Sequence, residues 1–138
     1  MKTFRDRYWS LDIPDDWIAE HYPECVSLSH PDGIGELQIS ASRQGRPVSI
    51  SELRQFASEH INAGAETQAI RLGDFEGFTF GYGVEDEYWC EWYLKSGSLL
   101  LFVTYSCETQ DEGKEDDVVE AILETLRANP KEPETPSR

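Results

Sequence analysis

The sequence has few basic residues and no long hydrophobic run, and these two absences limit what the protein can do. Its 138 residues include 12 Lys and Arg against 27 Asp and Glu, which gives a formal net charge of -15. Such a charge repels phosphate backbones and anionic lipid, so we expect neither a nucleic-acid nor a membrane partner. No stretch of about 18 apolar residues is present that could span a bilayer. The acidic surface instead favours solvation, or attraction to a basic protein.

Cysteine and histidine are also scarce. The chain has three of each: Cys25, Cys90, Cys107, His21, His30 and His60. The cysteines are odd in number with no C-x-x-C pair, and no two histidines have H-x-x-x-H spacing, so we predict no disulfide framework, no metal site and no cofactor. The carboxylate clusters lack the spacing of a calcium loop. We expect the thiols to be reduced and mostly buried.

The two ends of the chain set the expected location and domain limits. Residues 1–7 are followed by an alternating segment rather than by an apolar run with a cleavage site, so no secretory signal is visible and a cytoplasmic location is expected. Residues 1–128 have the length and composition of a single domain. Residues 129–138 contain three prolines and no large apolar residue, and we expect a disordered tail there.

Alternation and turn residues predict a protein rich in antiparallel strands. Strands are expected at residues 8–13, 24–30, 36–41, 69–72, 75–84, 87–95 and 98–106. A capping box of Ser49 and Glu52 predicts a helix over about 50–63, and carboxylates before an apolar stripe predict a second over about 115–128. The fold class is therefore α+β. We expect an α/β/α sandwich with a central, mainly antiparallel sheet of about six or seven strands.

The stretch EYWCEWYLK, residues 87–95, is the densest aromatic segment. A strand sends Tyr88, Cys90, Trp92 and Leu94 to one face. Trp89, Glu91, Tyr93 and Lys95 go to the other. Because both faces carry aromatic residues, the pattern favours a central strand covered on both sides.

Five segments together resemble a known superfamily: YWSLDIPDDW, PDGIGELQIS, RLGDFEGFTFGYG, WCEWYLKSGSLLLFVTYS and EDDVVEAILETLRAN. They are similar to the PsbP-like superfamily, an α/β/α sandwich that also includes Ran-binding nuclear import factors and DcrB-type bacterial lipoproteins. The resemblance implies mostly non-catalytic roles, as assembly subunits, partner-binding factors or adaptor chaperones. It implies no transferable active site. The chain departs from the lipoprotein members because it has no lipidated cysteine near its start.

The favoured functional hypothesis is a non-catalytic module that binds another protein, possibly a basic one. The expected contact residues are an acidic turn and whichever of four aromatic residues remain exposed: Glu85, Asp86, Glu87, Trp9, Trp17, Trp89 and Tyr93. Like-charged groups on one turn would steer a basic partner more strongly at low ionic strength.

Two other functions compete with this hypothesis. One is a small-molecule binding domain with a pocket between sheet and helix, lined by Tyr82, Tyr88, Trp92 and Tyr105. The less favoured one is an enzyme that uses Cys90 or Cys107 as a nucleophile. Since adjacent residues of a strand face opposite ways, Glu91 cannot orient a base for Cys90. We therefore expect no catalytic residues.

Overall fold

A computed structural model describes residues 1–129, and its main element is a seven-stranded antiparallel sheet. The strands are β1 Lys2–Arg5, β2 Trp9–Ile13, β3 Ile18–His21, β4 Val26–Ser29, β5 Glu36–Arg43, β6 Gln68–Leu72, β7 Phe75–Val84, β8 Glu87–Ser96, β9 Leu99–Glu108 and β10 Arg127–Ala128. The helices are α1 Ile50–Phe56, α2 Ser58–Asn62 and α3 Asp116–Leu123, with a 3-10 turn at Thr109–Asp111. The large sheet has the order β3-β4-β5-β9-β8-β7-β6, and a small sheet has the order β1-β2-β10. The predicted α+β fold with a central antiparallel sheet is confirmed.

One face of the large sheet carries the main core. The small sheet and α3 both pack on this face, so that Trp9 and Leu11 of β2 and Ile122 of α3 are fully buried in the same cluster as Leu94 and Leu101 of the large sheet. Strand alternation explains the pattern, because β9 buries every second residue from Leu99 to Cys107. This layer of mixed strand and helix is the thicker side of the sandwich.

The second face carries a smaller core under α1 and α2. Leu53 and Ala57 pack on Phe78, Phe80 and Tyr93, all of them buried. The predicted capping box is present at Ser49, whose hydroxyl accepts from the Glu52 amide at 3.1 Å while Glu52 Oε1 accepts from the Ser49 amide at 3.2 Å. The single helix predicted over 50–63 is wrong in one respect: it breaks at Ala57, where the backbone leaves helical geometry and two short helices result.

The C-terminal part of the prediction needs two corrections. The helix predicted to reach residue 128 ends at Leu123, and Arg127–Ala128 instead pair with β2 as an edge strand. Asn129, assigned to a disordered tail, is anchored: its amide donates to the Tyr8 carbonyl at 2.9 Å and its Nδ2 to the Asp6 carbonyl at 2.8 Å. The rest of the predicted tail, residues 130–138, lies outside the described residues.

Candidate functional site

The second face of the large sheet is covered only in part. Strand β8 is buried on both sides from Glu91 to Leu94, where α1 lies over it, but not at its start. On β9 the residues that point to this face are half-exposed along most of the strand. We call the uncovered region the open face, and its half-exposed members are Gln38, Ser40, Trp89, Phe102, Thr104 and Ser106. The expectation that β8 would be a central strand covered on both sides is therefore met over only part of its length.

Strand register fixes the arrangement of the open face. Trp89 lies opposite Tyr82 of β7 and Ser106 of β9. One step further along β8, Glu91 lies opposite Phe80 and Thr104. Directly opposed residues share a face and have neighbouring Cβ atoms. The aromatic residues under the helices are therefore continuous with the open face, and β8 carries residues of both regions.

Most of the aromatic residues proposed as partner contacts are core residues. Trp9 is 0% exposed, Trp17 3% and Tyr93 7%, which corrects the suggestion that they reach a partner. Trp17 turns inward because its amide closes a tight turn onto the Pro14 carbonyl at 3.0 Å. Tyr93 lies beneath the helices and stacks on Phe78, with ring centroids 5.3 Å apart. Trp89 alone of the four remains half-exposed and able to touch another molecule.

The acidic turn that joins β7 to β8 is exposed at all three of its carboxylates, Glu85, Asp86 and Glu87. Its conformation is fixed by a left-handed residue, Glu85, with a φ of 54°. The carbonyl of Asp86 also accepts from the amide of Thr109 at 2.7 Å. The turn thus has a defined backbone conformation and presents three exposed carboxylates beside the open face. Its role in binding stays a prediction.

Charge is strongly segregated over the large sheet. Residues 8–42, 72–94 and 96–113 contain no Lys or Arg at all. The sheet's cations are Arg43, Arg71 and Lys95, which strand register places near one end of the sheet. Carboxylates surround or flank the rest of the open face: Glu20, Glu24, Glu36, Glu87 and Glu108. The open face therefore lies in a negative field with its cations displaced to one side.

A buried carboxylate lies between the helix-covered core and the open face. Glu91 is 5% exposed. Its oxygens accept from the hydroxyl of Tyr82 at 2.5 Å and from that of Tyr93 at 2.8 Å, and His60 Nε2 of α2 lies 3.5 Å away. Burial and these hydrogen bonds raise the pKa of both tyrosines. Sequence reasoning used Glu91 only to argue against catalysis, although an acid flanked on its own face by Trp89 and Tyr93 is an unusual pattern.

The four residues predicted to line a pocket are divided between the two faces. Tyr88, Trp92 and Tyr105 face α3, whereas Tyr82 pairs with Trp89 on the opposite face. All four border one groove of about 1070 Å³. It reaches both faces because β6 pairs only as far as Thr79 of β7 and leaves the rest of that strand without a neighbour in the described chain. The four residues predicted to line a pocket between sheet and helix thus border a groove that passes round a sheet edge.

The hydroxyl and thiol groups in and near the groove lack the lowered pKa of an activated nucleophile. Tyr105 donates to Glu115 at 2.7 Å, and the Cys90 thiol lies 3.2 Å from the Tyr88 hydroxyl. Burial raises the pKa of Cys90 and of Cys107, and nearby carboxylates raise it further. A raised pKa lowers the fraction of thiolate at neutral pH, and this disfavours nucleophilic attack by either thiol.

Two further features are absent from residues 1–129. No group of three or more His, Cys, Asp or Glu side chains there is placed to hold a metal ion. None of the helices in this part of the chain has the length and apolar character needed to cross a membrane.

Comparison with known proteins shows a shared fold. No family model matches the sequence, and neither does any curated protein. Among solved structures, the chain is similar to a crystal structure from Bacteroides thetaiotaomicron VPI-5482, with a TM-score of 0.71, 20% identity, and coverage of 98% of this chain and 51% of that one. It is also similar to LpqN of Mycobacterium tuberculosis, which is described as involved in cell envelope biogenesis, with a TM-score of 0.65, 16% identity, and coverage of 88% and 83%.

These likenesses concern the fold alone, because identities of 16% and 20% are too low to carry function. The chain spans about half the length of the Bacteroides protein. The α+β architecture is thus shared with these two bacterial proteins, and the functional proposal rests on the geometry of this chain.

Proposed function

We propose that the protein is a non-catalytic interaction module of PsbP-like type that binds a basic segment of another protein on its open face. The observation that carries this proposal is a partly uncovered sheet face whose aromatic members, Trp89 and Phe102, lie among carboxylates, in sheet segments that contain no Lys or Arg.

Each feature contributes a different part of binding. A half-exposed tryptophan offers a large contact area that loses little conformational entropy, which is why tryptophan is enriched among the residues that dominate interfaces. The carboxylates Glu87 and Glu108 form a directly opposed pair on β8 and β9. Two like charges at this spacing repel each other, so a basic partner that neutralises them would gain from that relief.

The test is to find a basic partner and then to measure its association with charge-reversed variants. Tagged protein is used to capture partners from lysate of the source organism, and a captured protein is purified and its association rate measured against ionic strength. Glu87→Lys/Glu108→Lys reverses the field at the open face while it keeps one like-charged cross-strand pair. The matched control is Glu120→Lys/Glu124→Lys, a like-charged i,i+4 pair formed by an exposed residue of α3 and the exposed residue that caps its C-terminus.

The open-face variant should slow association by roughly tenfold or more at low salt, because steering by opposite charge raises rates by this order and falls with ionic strength. The α3 control should change the rate by less than about threefold. Equal effects from the two variants, or a rate that does not depend on salt, would remove the open face from the proposal. Hydrogen exchange of the complex should show protection on β5, β8 and β9.

A second candidate function is favoured by the groove beside α3. A void of about 1070 Å³ bordered by Tyr88, Trp92 and Tyr105 has the size and aromatic lining of a small-molecule site. A metabolite screen by thermal shift tests this candidate, with alkylation of Cys90 as the second measurement, since this residue borders the groove. A true ligand should raise the unfolding temperature and also slow the alkylation. Stabilisation without protection of Cys90 would place the ligand elsewhere.

A further inference from the structure

A cavity of about 380 Å³ opens on the open face, separate from the groove beside α3. Trp89 and Phe102 contribute its aromatic lining, and Gln38, Thr104 and Glu24 contribute polar groups. The buried carboxylate Glu91 also lines it. The cavity thus combines two carboxylates, of which Glu91 is the buried one, with aromatic faces and neutral hydrogen-bond acceptors.

The charge of Glu91 is only partly compensated. Its two short hydrogen bonds come from neutral hydroxyls, those of Tyr82 and Tyr93. The nearest basic group is His60, whose Nε2 lies at 3.5 Å and whose side chain is 37% exposed. Within residues 1–129, no Lys or Arg forms an ion pair with this carboxylate. A buried carboxylate is stable when it is paired with a cation, so the cavity has the chemistry of a receptor for positive charge.

We propose that this cavity receives one arginine side chain of the basic partner. The inference rests on the proposed function and deepens it, because it names the group that the open face recognises. A guanidinium is planar, stacks on an aromatic ring, and presents five donors in fixed directions. It can therefore lie against Trp89 while it donates to Glu91 and to oxygen atoms of Gln38 or Thr104. The ammonium of lysine is a point charge and uses fewer of these groups.

Short capped peptides provide a direct test on the full chain. Acetyl-Gly-Arg-Gly-amide is titrated into labelled protein and followed through the indole resonance of Trp89, with the citrulline and lysine peptides as comparisons. Citrulline keeps the shape of arginine without its charge. Glu91→Gln keeps an acceptor for the tyrosines but removes the charge, and Glu120→Gln, which removes one exposed charge from α3, is the matched control.

The arginine peptide should shift the Trp89 resonance, and Glu91→Gln should weaken its binding by roughly tenfold or more, as expected when a desolvated charge pair loses one partner. Glu120→Gln should change binding by less than about twofold, and the lysine peptide should bind more weakly than the arginine peptide. Equal binding of arginine and citrulline, or of wild type and Glu91→Gln, would overturn the pocket. Equal binding of arginine and lysine would overturn its selectivity for arginine.

The test still decides the question if a variant fails to fold, and it separates the arginine pocket from the wider interaction proposal. If Glu91→Gln fails to fold, the citrulline comparison on wild type and the variant Trp89→Leu still decide the question. Binding to Trp89→Leu is followed through the backbone amide resonance of Thr104, which also lines the cavity, and loss of the aromatic face should weaken arginine binding. Different results would reject the arginine pocket and the protein-interaction proposal. A partner whose association is slowed by Glu87→Lys/Glu108→Lys but not by Glu91→Gln would leave that proposal standing while the arginine pocket is rejected.

Discussion

The hydroxyl of Tyr93 provides a sharp test of how the buried carboxylate is stabilised. This hydroxyl donates to Glu91 at 2.8 Å, and both residues are almost fully buried. Tyr93→Phe removes the donor and leaves the ring in place between its aromatic neighbours, so packing changes little. A hydrogen bond to a charged group contributes about 1.5–3 kcal/mol, and water cannot easily replace a buried donor. We expect a loss of about 2 kcal/mol in the free energy of unfolding, or about 4–8 °C in Tm.

Tyr105→Phe is the matched control, because its hydroxyl also donates to a carboxylate, at 2.7 Å. That carboxylate, Glu115, is half-exposed and also accepts from the amide of Gly35 at 2.9 Å. Water can replace the lost donor there, so we expect a loss of less than about 1 kcal/mol. Urea unfolding followed by tryptophan fluorescence measures the stability of both variants. The dependence of the unfolding free energy on urea concentration should be the same as in wild type, so that a change in midpoint reports a change in stability. A loss below about 0.5 kcal/mol for Tyr93→Phe, or an equal loss for the control, would refute the argument.

Three further predictions test the structure elsewhere. The guanidinium of Arg46 and the backbone amide of Ser49 lower the pKa of Glu52 from 4.5 to about 2, so the contribution of the Glu52 carboxylate to stability is complete above pH 4.5 and is lost as the pH falls through about 2. The difference in unfolding free energy between wild type and Glu52→Gln should therefore shrink over that pH interval, and a constant difference would contradict the prediction. Gly77→Ala should destabilise by at least about 2 kcal/mol in urea unfolding because its Cβ would overlap a β8 carbonyl oxygen, whereas Gly45→Ala, in open space, should change stability by less than about 0.5 kcal/mol. Burial raises the pKa of all three thiols, so iodoacetamide at pH 7.5 should label the folded protein far more slowly than the urea-unfolded chain, and rapid labelling of any one thiol would reopen the enzymatic alternative.

The central part of the fold could be predicted from local patterns. The meander of β7, β8 and β9 has long alternating segments joined by two-residue turns, and such turns leave only antiparallel neighbours. The start of α1 was equally predictable, because a capping box is a local hydrogen-bond pattern.

The errors in the fold arose where tertiary contacts outweigh local preference. Arg127 and Ala128 fit a continued helix, but their pairing with β2 satisfies the backbone of a buried strand instead. The short strands β1 and β3 carry no alternating apolar pattern, since each lies at a sheet edge and is mostly exposed. Asn129 shows the same effect, because its anchors are carbonyls near the other end of the chain. Contacts so distant in sequence leave no local signal.

The candidate site was harder to predict than the fold, because its character depends on where two short helices stop. Alternation assigned Trp89, Glu91 and Tyr93 correctly to one face of β8, but it could not show that α1 covers Tyr93 and not Trp89. The pocket hypothesis also grouped Tyr82 with Tyr88, although the register of β7 and β8 puts them on opposite faces. The length of the helical cover, and strand register, are tertiary properties.

Three residues of β8 on the second face, within a span of five, differ in their surroundings. Their sequence from buried to exposed limits what the open face could bind. Tyr93 is core, Glu91 is a carboxylate held by two hydroxyls, and Trp89 is half-exposed. A partner that covered Trp89 would also close the cavity beside Glu91 to solvent. Covering it with a neutral apolar surface would further desolvate a carboxylate that no Lys or Arg of residues 1–129 pairs with, which is unfavourable. A surface that carries a cation avoids this cost, so the proposed binding on the open face would favour a positively charged partner even though the largest exposed side chain there is a tryptophan.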